Sequence, residues 1–266
     1  MVQMEEYAMH NHKYDYFNTV DYLDYLKKNF DIIDLGPSGP DETCKRPDIE
    51  LIFNYTELLR INAGESLLEI GCGLGRLLDV LGKRYCVISG GVDVSEEAVR
   101  LAHERLPEMA ENIKCVTAEA LPFPDSSFDH ILCWAVFDLT DQGRALSEMI
   151  RVLKPGGEIL LTGKNDLFMD DDDDALIAET KSREKGIPNH YTNYDAFRAA
   201  IEVNGCEMVM QHFFLRRGDF MRGAHLVSRP AKFIEYCVII RKNFNAPQTI
   251  IEIAETHSRT WKQKNE

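Results

Sequence analysis

No stretch of this 266-residue chain approaches the ~20 consecutive apolar residues of a membrane-spanning helix, so no membrane location is expected. The first 16 residues are polar and aromatic and lack the apolar centre of a secretory signal. There is no Cys-x-x-Cys pair, and Cys44, Cys72, Cys86, Cys115, Cys133, Cys206 and Cys237 are scattered and odd in number. That pattern argues against a disulfide frame or a thiolate metal site, and for reduced thiols in a cytoplasmic protein. A basic stripe is missing too. Thirty Lys and Arg face 44 Asp and Glu, a formal net charge of −14, which disfavours DNA or RNA as a partner. No internal repeat is visible. The apolar fraction, 44%, is ordinary for a globular protein, and the length suffices for one large core with a small cap.

What is present centres on Glu69-Ile70-Gly71-Cys72-Gly73-Leu74-Gly75. The run before it, Ser66 to Ile70, suits a short buried strand. The run after it, Arg76 to Arg84, carries Leu77, Leu78, Val80 and Leu81 on a helical face. A glycine-rich turn between strand and helix lets backbone N–H groups approach a ligand at the partial positive charge of a helix N-terminus. One helix and one strand later comes Asp93, a carboxylate suited to a ribose diol. This half of the chain is therefore built for an adenosine-type cofactor. The dinucleotide fingerprint G-x-G-x-x-G fails, because its third glycine falls on Arg76 or Leu78 in the two available frames.

The periodicity orders the rest. Strand and helix patterns alternate from Leu67 to Thr162, implying a parallel sheet. An aromatic leader, 1–47, precedes the core and ends in the turn-rich Gly36-Pro37-Ser38-Gly39-Pro40-Asp41; a helix is expected from about Asp48 to Ile61. The main domain spans 48–242, with substrate-side insertions at 164–191 and 215–232, and 243–266 is expected to be a helical tail. Thr192-x-x-Asp195 has the form of a capping box for a helix ending near Asn204-Gly205. Late strands are expected at about 207–215 and 233–241.

The acidic-x-Gly-x-Gly-x-Gly run resembles motif I of the class I S-adenosylmethionine-dependent methyltransferases, and three more segments agree in order and spacing. Gly91-Val92-Asp93-Val94-Ser95 looks like the family's second-strand end. Ala118 to Asp129 is similar to its LPF–FD segment, and Arg151-Val152-Leu153-Lys154-Pro155-Gly156-Gly157 to its RVLKPGG turn. The resemblance covers about residues 60–165. It implies a Rossmann-like, doubly wound α/β fold with seven strands in the order 3-2-1-4-5-7-6, the last antiparallel, beneath an N-terminal helical cap. It also implies S-adenosyl-L-methionine as cofactor. Glu69 would serve its methionine end, Gly71, Gly73 and Gly75 the loop, Asp93 and Val94 the ribose, and Ala118 or Glu119 the adenine. Thr117 departs from the family's common Asp, so no adenine N6 contact is assigned there.

On the acceptor side the expectations are sparser. Trp134 is read either as stacking on the adenine or lining the methyl-transfer site, or as a core aromatic. Asp138 and His190, the latter beside Tyr191, are the candidate proton-handling residues. The leader, through Tyr14, Tyr16 and Phe17, is expected to close over the cofactor as a lid. The run Asp170–Asp174 reads as a solvated loop, and no metal is expected because Cys133-Trp134 stand where metal-dependent relatives carry an acid. Arg216, Arg217, Arg222, Arg229 and Lys232 form a basic patch, read either as a solvated loop or as a holder of an anionic group on the acceptor. The expected function is methyl transfer to an O, N or C nucleophile of a small molecule, with a homodimer left open. A nicotinamide oxidoreductase and a non-catalytic S-adenosylmethionine-binding subunit are the alternatives.

Overall fold

A computed structural model describes residues 12–30, 49–187, 189–243, 253–255 and 258–265. Among them the strands are β1 (Ser66–Ile70), β2 (Ile88–Asp93), β3 (Ile113–Cys115), β4 (Phe128–Cys133), β5 (Leu153–Lys164), β6 (Tyr191–Thr192), β7 (Cys206–Phe214), β8 (Glu235–Lys242) and β9 (Ala254–Glu255). The helices are α1 (Val20–Phe30), α2 (Ile49–Thr56), α3 (Arg76–Tyr85), α4 (Glu96–Arg105), α5 (Gln142–Val152), α6 (Asp173–Glu184), α7 (Tyr194–Val203), α8 (Asp219–Arg222) and α9 (Arg259–Asn265). None is long and apolar enough to cross a membrane.

Seven strands form one sheet in the order β3-β2-β1-β4-β5-β8-β7. The first five run parallel, and β8 runs antiparallel to both β5 and β7. This is the expected topology once the two-residue β6 is set aside. Alternation sorts β1 between two cores: Leu67 packs with Leu81 and Leu132 beneath α2 and α3, while Leu68 and Ile70 join Ile131, Cys133 and Val152 on the other face. Burial on both faces is what makes these strands read as continuous apolar runs. The register of β1 against β4 is pinned by Asp129, whose Oδ2 accepts from Ser66 N–H (2.9 Å), Ser66 Oγ (2.7 Å) and Lys154 Nζ (2.7 Å).

Arg151 connects two of the sequence motifs. Its guanidinium donates to the carbonyls of Leu121 (2.9 Å) and Phe123 (2.8 Å) and to Asp125 (2.8 Å), and pairs with Glu148. The LPF segment is thereby clamped to the end of α5. The Leu153-Lys154-Pro155-Gly156-Gly157 stretch is not a separate turn: it enters β5 directly, with Leu153 opposite Phe128 and an irregularity before His130.

Two expectations need correction. The cap of α7 is Asn193, whose side chain accepts from Ala196 N–H; Thr192 lies in β6, where its hydroxyl donates to Gln142 and shares a hydrogen bond with the Tyr236 hydroxyl. The tail is not simply helical. Its β9 pairs with β6, and α9 begins at Arg259, whose guanidinium grips Asp166 through two bonds of 2.7 and 2.9 Å. Ser258 donates to the buried Glu179, and Thr260 bonds Phe168. The turn-rich stretch expected at 36–41 lies outside the described residues.

Candidate active site

A cleft of about 460 Å³ opens at the carboxyl edge of the sheet, where open α/β sheets hold ligands. Its floor is Ile70 at the end of β1 with Gly71 after it, and Val92, Asp93 and Val94 at the end of β2. Val116, Ala118 and Glu119 form one wall, and Val136, Leu139 and Thr140 after β4 form another. Tyr14, Phe17 and Tyr22 of the leader close the remaining side.

Asp93 is 5% exposed. Its Oδ2 accepts the Gly73 N–H (2.8 Å) and its Oδ1 the Ser95 N–H (2.9 Å), so the glycine loop and the start of α4 orient the carboxylate. Burial pushes its pKa up, and the N–H groups of Ser95, Gly73 and Val94 pull it back. Among the loop glycines only Gly71 lines the cleft. It adopts φ +73°, and a Cβ there would lie 2.3 Å from a Val136 methyl, so a side chain is excluded twice over. At Gly75 a Cβ would meet Leu106 at 2.6 Å, a helix-packing requirement rather than a ligand contact. Gly73 serves Asp93 and lies beneath Leu26 of the leader helix.

Glu69 is buried but does not line the cleft. Burial, and then the nearby Asp93, hold its pKa well above the ordinary carboxylate range; the Leu78 N–H at the start of α3 and the Arg76 charge oppose that shift. Its Oε2 is buried with no hydrogen-bond partner among the described residues. Glu119 anchors the leader: one carboxylate oxygen accepts both the Tyr14 hydroxyl (2.6 Å) and the Asp141 N–H (2.6 Å).

Two expected site residues are elsewhere. Tyr16 does not line the cleft. Residues 12–18 form a 3₁₀ helix, in which positions three apart share a face, so Tyr14 and Phe17 turn inward and Tyr16 stacks edge-on against Phe17 from outside. Trp134 is a core aromatic, packed against Tyr55 (5.8 Å) and Phe220 (5.3 Å). The alternation of β4 continues through it: Cys133 faces the core on the cleft side, while Leu132 and Trp134 face the opposite one. Tyr22, Val136, Leu139 and Thr140 were not singled out from sequence, since apolar residues in turns carry no chemical signature. The 3₁₀ spacing of Tyr14 and Phe17 was the signal available for the leader.

On the acceptor side Asp138 is 5% exposed and pairs with Lys164 at the end of β5 (2.6 Å). Lys164 also donates to Asn189 Oδ1 (3.3 Å). His190 meets Asp138 through its backbone, its N–H donating to the Asp138 carbonyl (2.7 Å), and the Tyr191 hydroxyl accepts from Asn189 (3.2 Å). The topology thus brings 138, 164 and 189–191 together at one edge. Much of the basic patch is paired within the chain. Arg216 pairs bidentately with Asp171 (2.8 Å), Lys232 with Asp170 (2.6 Å) and Arg229 with Asp195. Asp172 caps α6 and accepts the Arg217 N–H (2.8 Å). The acidic run and the basic insertion therefore neutralise each other. Among the described residues, no cluster of three His, Cys, Asp or Glu is arranged to hold a metal ion.

Residues 68–161 match the profile of the Methyltransferase domain family. Over 109 residues the chain is 37% identical to a ubiquinone/menaquinone biosynthesis C-methyltransferase of Marinomonas sp. (strain MWYL1), covering 38% of this chain and 43% of that one. It is 28% identical over 148 residues to an O-methyltransferase of Pyrenophora dematioidea, covering 53% and 54%. The chain spans about half or less of the length of these curated relatives. The crystal structure of geranyl diphosphate C-methyltransferase from Streptomyces coelicolor A3(2), in complex with Mg2+, geranyl diphosphate and S-adenosyl-L-homocysteine, has the same fold, with a TM-score of 0.56 at 15% identity over 73% of this chain and 77% of that one. The matched segment holds the glycine loop, Asp93 and the clamped LPF and RVLKPGG motifs, so residues 68–161 carry a methyltransferase domain.

Proposed function

We propose that this chain transfers a methyl group from S-adenosyl-L-methionine to a small-molecule acceptor, without a metal ion. The observation that carries the reading is Asp93, buried at the cleft floor and oriented by the Gly73 and Ser95 N–H groups. The residues fit such a cofactor. A carboxylate at the second-strand end suits a ribose diol, and the unpartnered Glu69 Oε2 suits an ammonium. The apolar wall of Val116 and Ala118 suits a purine. When bound, the cofactor supplies a methyl group already activated by a positive sulfur.

The chain's own work is then to bind, align and exclude water. Tyr14, Phe17 and Tyr22 form a lid whose ring faces favour a cation, latched through Tyr14 to Glu119. Asp138 and His190 stand on the acceptor side, where Asp138 holds Lys164 and His190 contacts the acceptor. In domain terms, 12–30 belong to the cap expected at 1–47, 48–242 is the catalytic domain with its 164–191 and 215–232 insertions, and the described tail residues 253–255 and 258–265 are strapped to the first insertion. The curated relatives include both an O- and a C-methyltransferase, so the family alone leaves the acceptor atom open.

The test is binding. S-adenosylhomocysteine should raise the thermal midpoint of the full chain by mass action, and NAD should not. Asp93→Ala should weaken that binding by about 1.5–3 kcal/mol, the value of a charge-assisted hydrogen bond. Stabilisation by NAD alone would sink the assignment. Turnover should survive EDTA.

A further inference from the structure

The edge of the sheet beside the cleft carries a donor and an acceptor side by side. Lys164 ends β5, and Glu235 begins β8 directly opposite it in antiparallel register. Side chains so paired leave the sheet on one face with Cβ atoms about 5 Å apart. The Lys164 ammonium gives one N–H to Asp138 (2.6 Å) and one to Asn189 (3.3 Å). An ammonium has three donors, and the Lys164 side chain remains 25% exposed, so one N–H is left for a ligand. Asp138 sits in the turn whose neighbours Val136, Leu139 and Thr140 wall the cleft. The cluster therefore begins where the cofactor cleft ends.

Glu235 keeps some accessible surface, yet its carboxylate is strongly desolvated. Burial raises its pKa. Arg217 and Lys164 pull it down, while Asp138 and Asp172 push it up. These are the charged groups that face it, from the loop after β7, from β5, from the turn after β4 and from the cap of α6. Asp138, by contrast, is tied to the Lys164 ammonium.

We propose that Glu235 is the proton acceptor of the methyl transfer and that Lys164, held by Asp138, orients the acceptor, which is a hydroxyl compound. This rests on the methyl-transfer reading above. The chemistry follows from the pair. As the acceptor oxygen bonds to the methyl carbon, the carbon–sulfur bond breaks and its electron pair goes to sulfur. The hydroxyl proton passes to the Glu235 carboxylate, and the Lys164 N–H stabilises negative charge on the oxygen as it develops. An amine acceptor would develop positive charge beside Lys164, which opposes it.

The experiment uses the full chain and radiolabelled S-adenosylmethionine with a panel of phenols, alkyl alcohols and primary amines. Methyl should go to a hydroxyl compound, identified by mass spectrometry. Glu235→Gln should cut turnover about 100-fold or more while the S-adenosylhomocysteine thermal shift is kept. The acidic limb of the wild-type pH profile should vanish in that variant, and Glu235→Asp should restore part of the rate. A second readout needs no acceptor. A carboxyl with a raised folded pKa stabilises the chain fully below its unfolded value, near 4.3, and loses that contribution as pH rises through the folded value. The wild-type thermal midpoint should therefore fall across that window relative to Glu235→Gln. Methylation of amines only, no turnover of any hydroxyl compound, turnover by Glu235→Gln within threefold of wild type, or a greater loss in His190→Gln would each overturn the inference. Absence of an S-adenosylhomocysteine shift in the wild type would instead overturn the methyl-transfer reading.

Discussion

The cofactor half and the acceptor half of this molecule are assembled by different means. From Ser66 to Val152 the contacts that shape the cleft are backbone contacts: Gly73 and Ser95 N–H groups on Asp93, a bare Cα at Gly71 against Val136. From Lys164 onward the contacts are side-chain pairs that close long loops: Arg259 to Asp166, Ser258 to Glu179, Arg216 to Asp171. A backbone site tolerates few residue types at its turns, so it leaves a motif. A site built from ion pairs works with many arrangements of the same charges, so it leaves none.

The largest expected effect probes the backbone side. Gly71→Ala forces a Cβ into a Val136 methyl 2.3 Å away, at φ +73°. It should cost about 3 kcal/mol of stability and abolish the S-adenosylhomocysteine shift, read by urea unfolding and thermal midpoint. Wild-type-like binding would show that the loop shape is dispensable and the contrast false.

Arg259→Met probes the side-chain half. It strips a bidentate partner from Asp166, which is 1% exposed, while the arginine itself is about half exposed. A loss of about 2 kcal/mol is expected, between the values for surface and buried pairs, with faster proteolysis across 164–191. S-adenosylhomocysteine affinity should stay within about twofold, for the cofactor half shares none of these contacts. A large loss of affinity would join the two halves into one unit.

Tyr14→Phe tests the seam between leader and cleft. It removes the 2.6 Å bond to Glu119 but leaves the ring and the Asp141 N–H in place. Stability should fall by about 1 kcal/mol, and cofactor affinity by less than tenfold. No change in either would make Tyr14 packing rather than a latch.

The smallest effect is acidic. Burial raises the Asp129 pKa, but the Lys154 ammonium and Ser66 outweigh it and bring it to about 2. A carboxylate depressed in the folded state stabilises above its unfolded pKa, near 3.9, and that contribution is lost as pH falls through the folded value. Lys154→Met should therefore make unfolding begin at higher pH within about 2–4, followed by circular dichroism. At neutral pH the change should be within about 1 kcal/mol, because the lysine is partly exposed. An unchanged acid transition would place the register of β1 and β4 on the hydrophobic core alone.

The sequence established the parallel core and the cofactor edge, because buried strands, glycine turns and an acid at a strand end are local patterns whose spacing is dictated by strand and helix periods; the strand order was implied by the family resemblance, and the sheet has it. It also identified the leader as aromatic and inward-facing, but the inward residues were decided by a 3₁₀ turn that sets Tyr14 and Phe17, not Tyr16, on the cleft. Trp134 was ambiguous in sequence because a strand-end aromatic suits either face, and only the parity of β4 sent it to the far core. The acidic run and the basic insertion were each visible, yet whether they bind ligands or one another depends on where the chain folds back, 45 residues apart for Arg216 and Asp171. The meeting of Lys164 with Glu235 belongs to tertiary structure for the same reason: strand pairing across 71 positions follows no local rule, and only the antiparallel insertion of β8 beside β5 brings donor and acceptor to one edge.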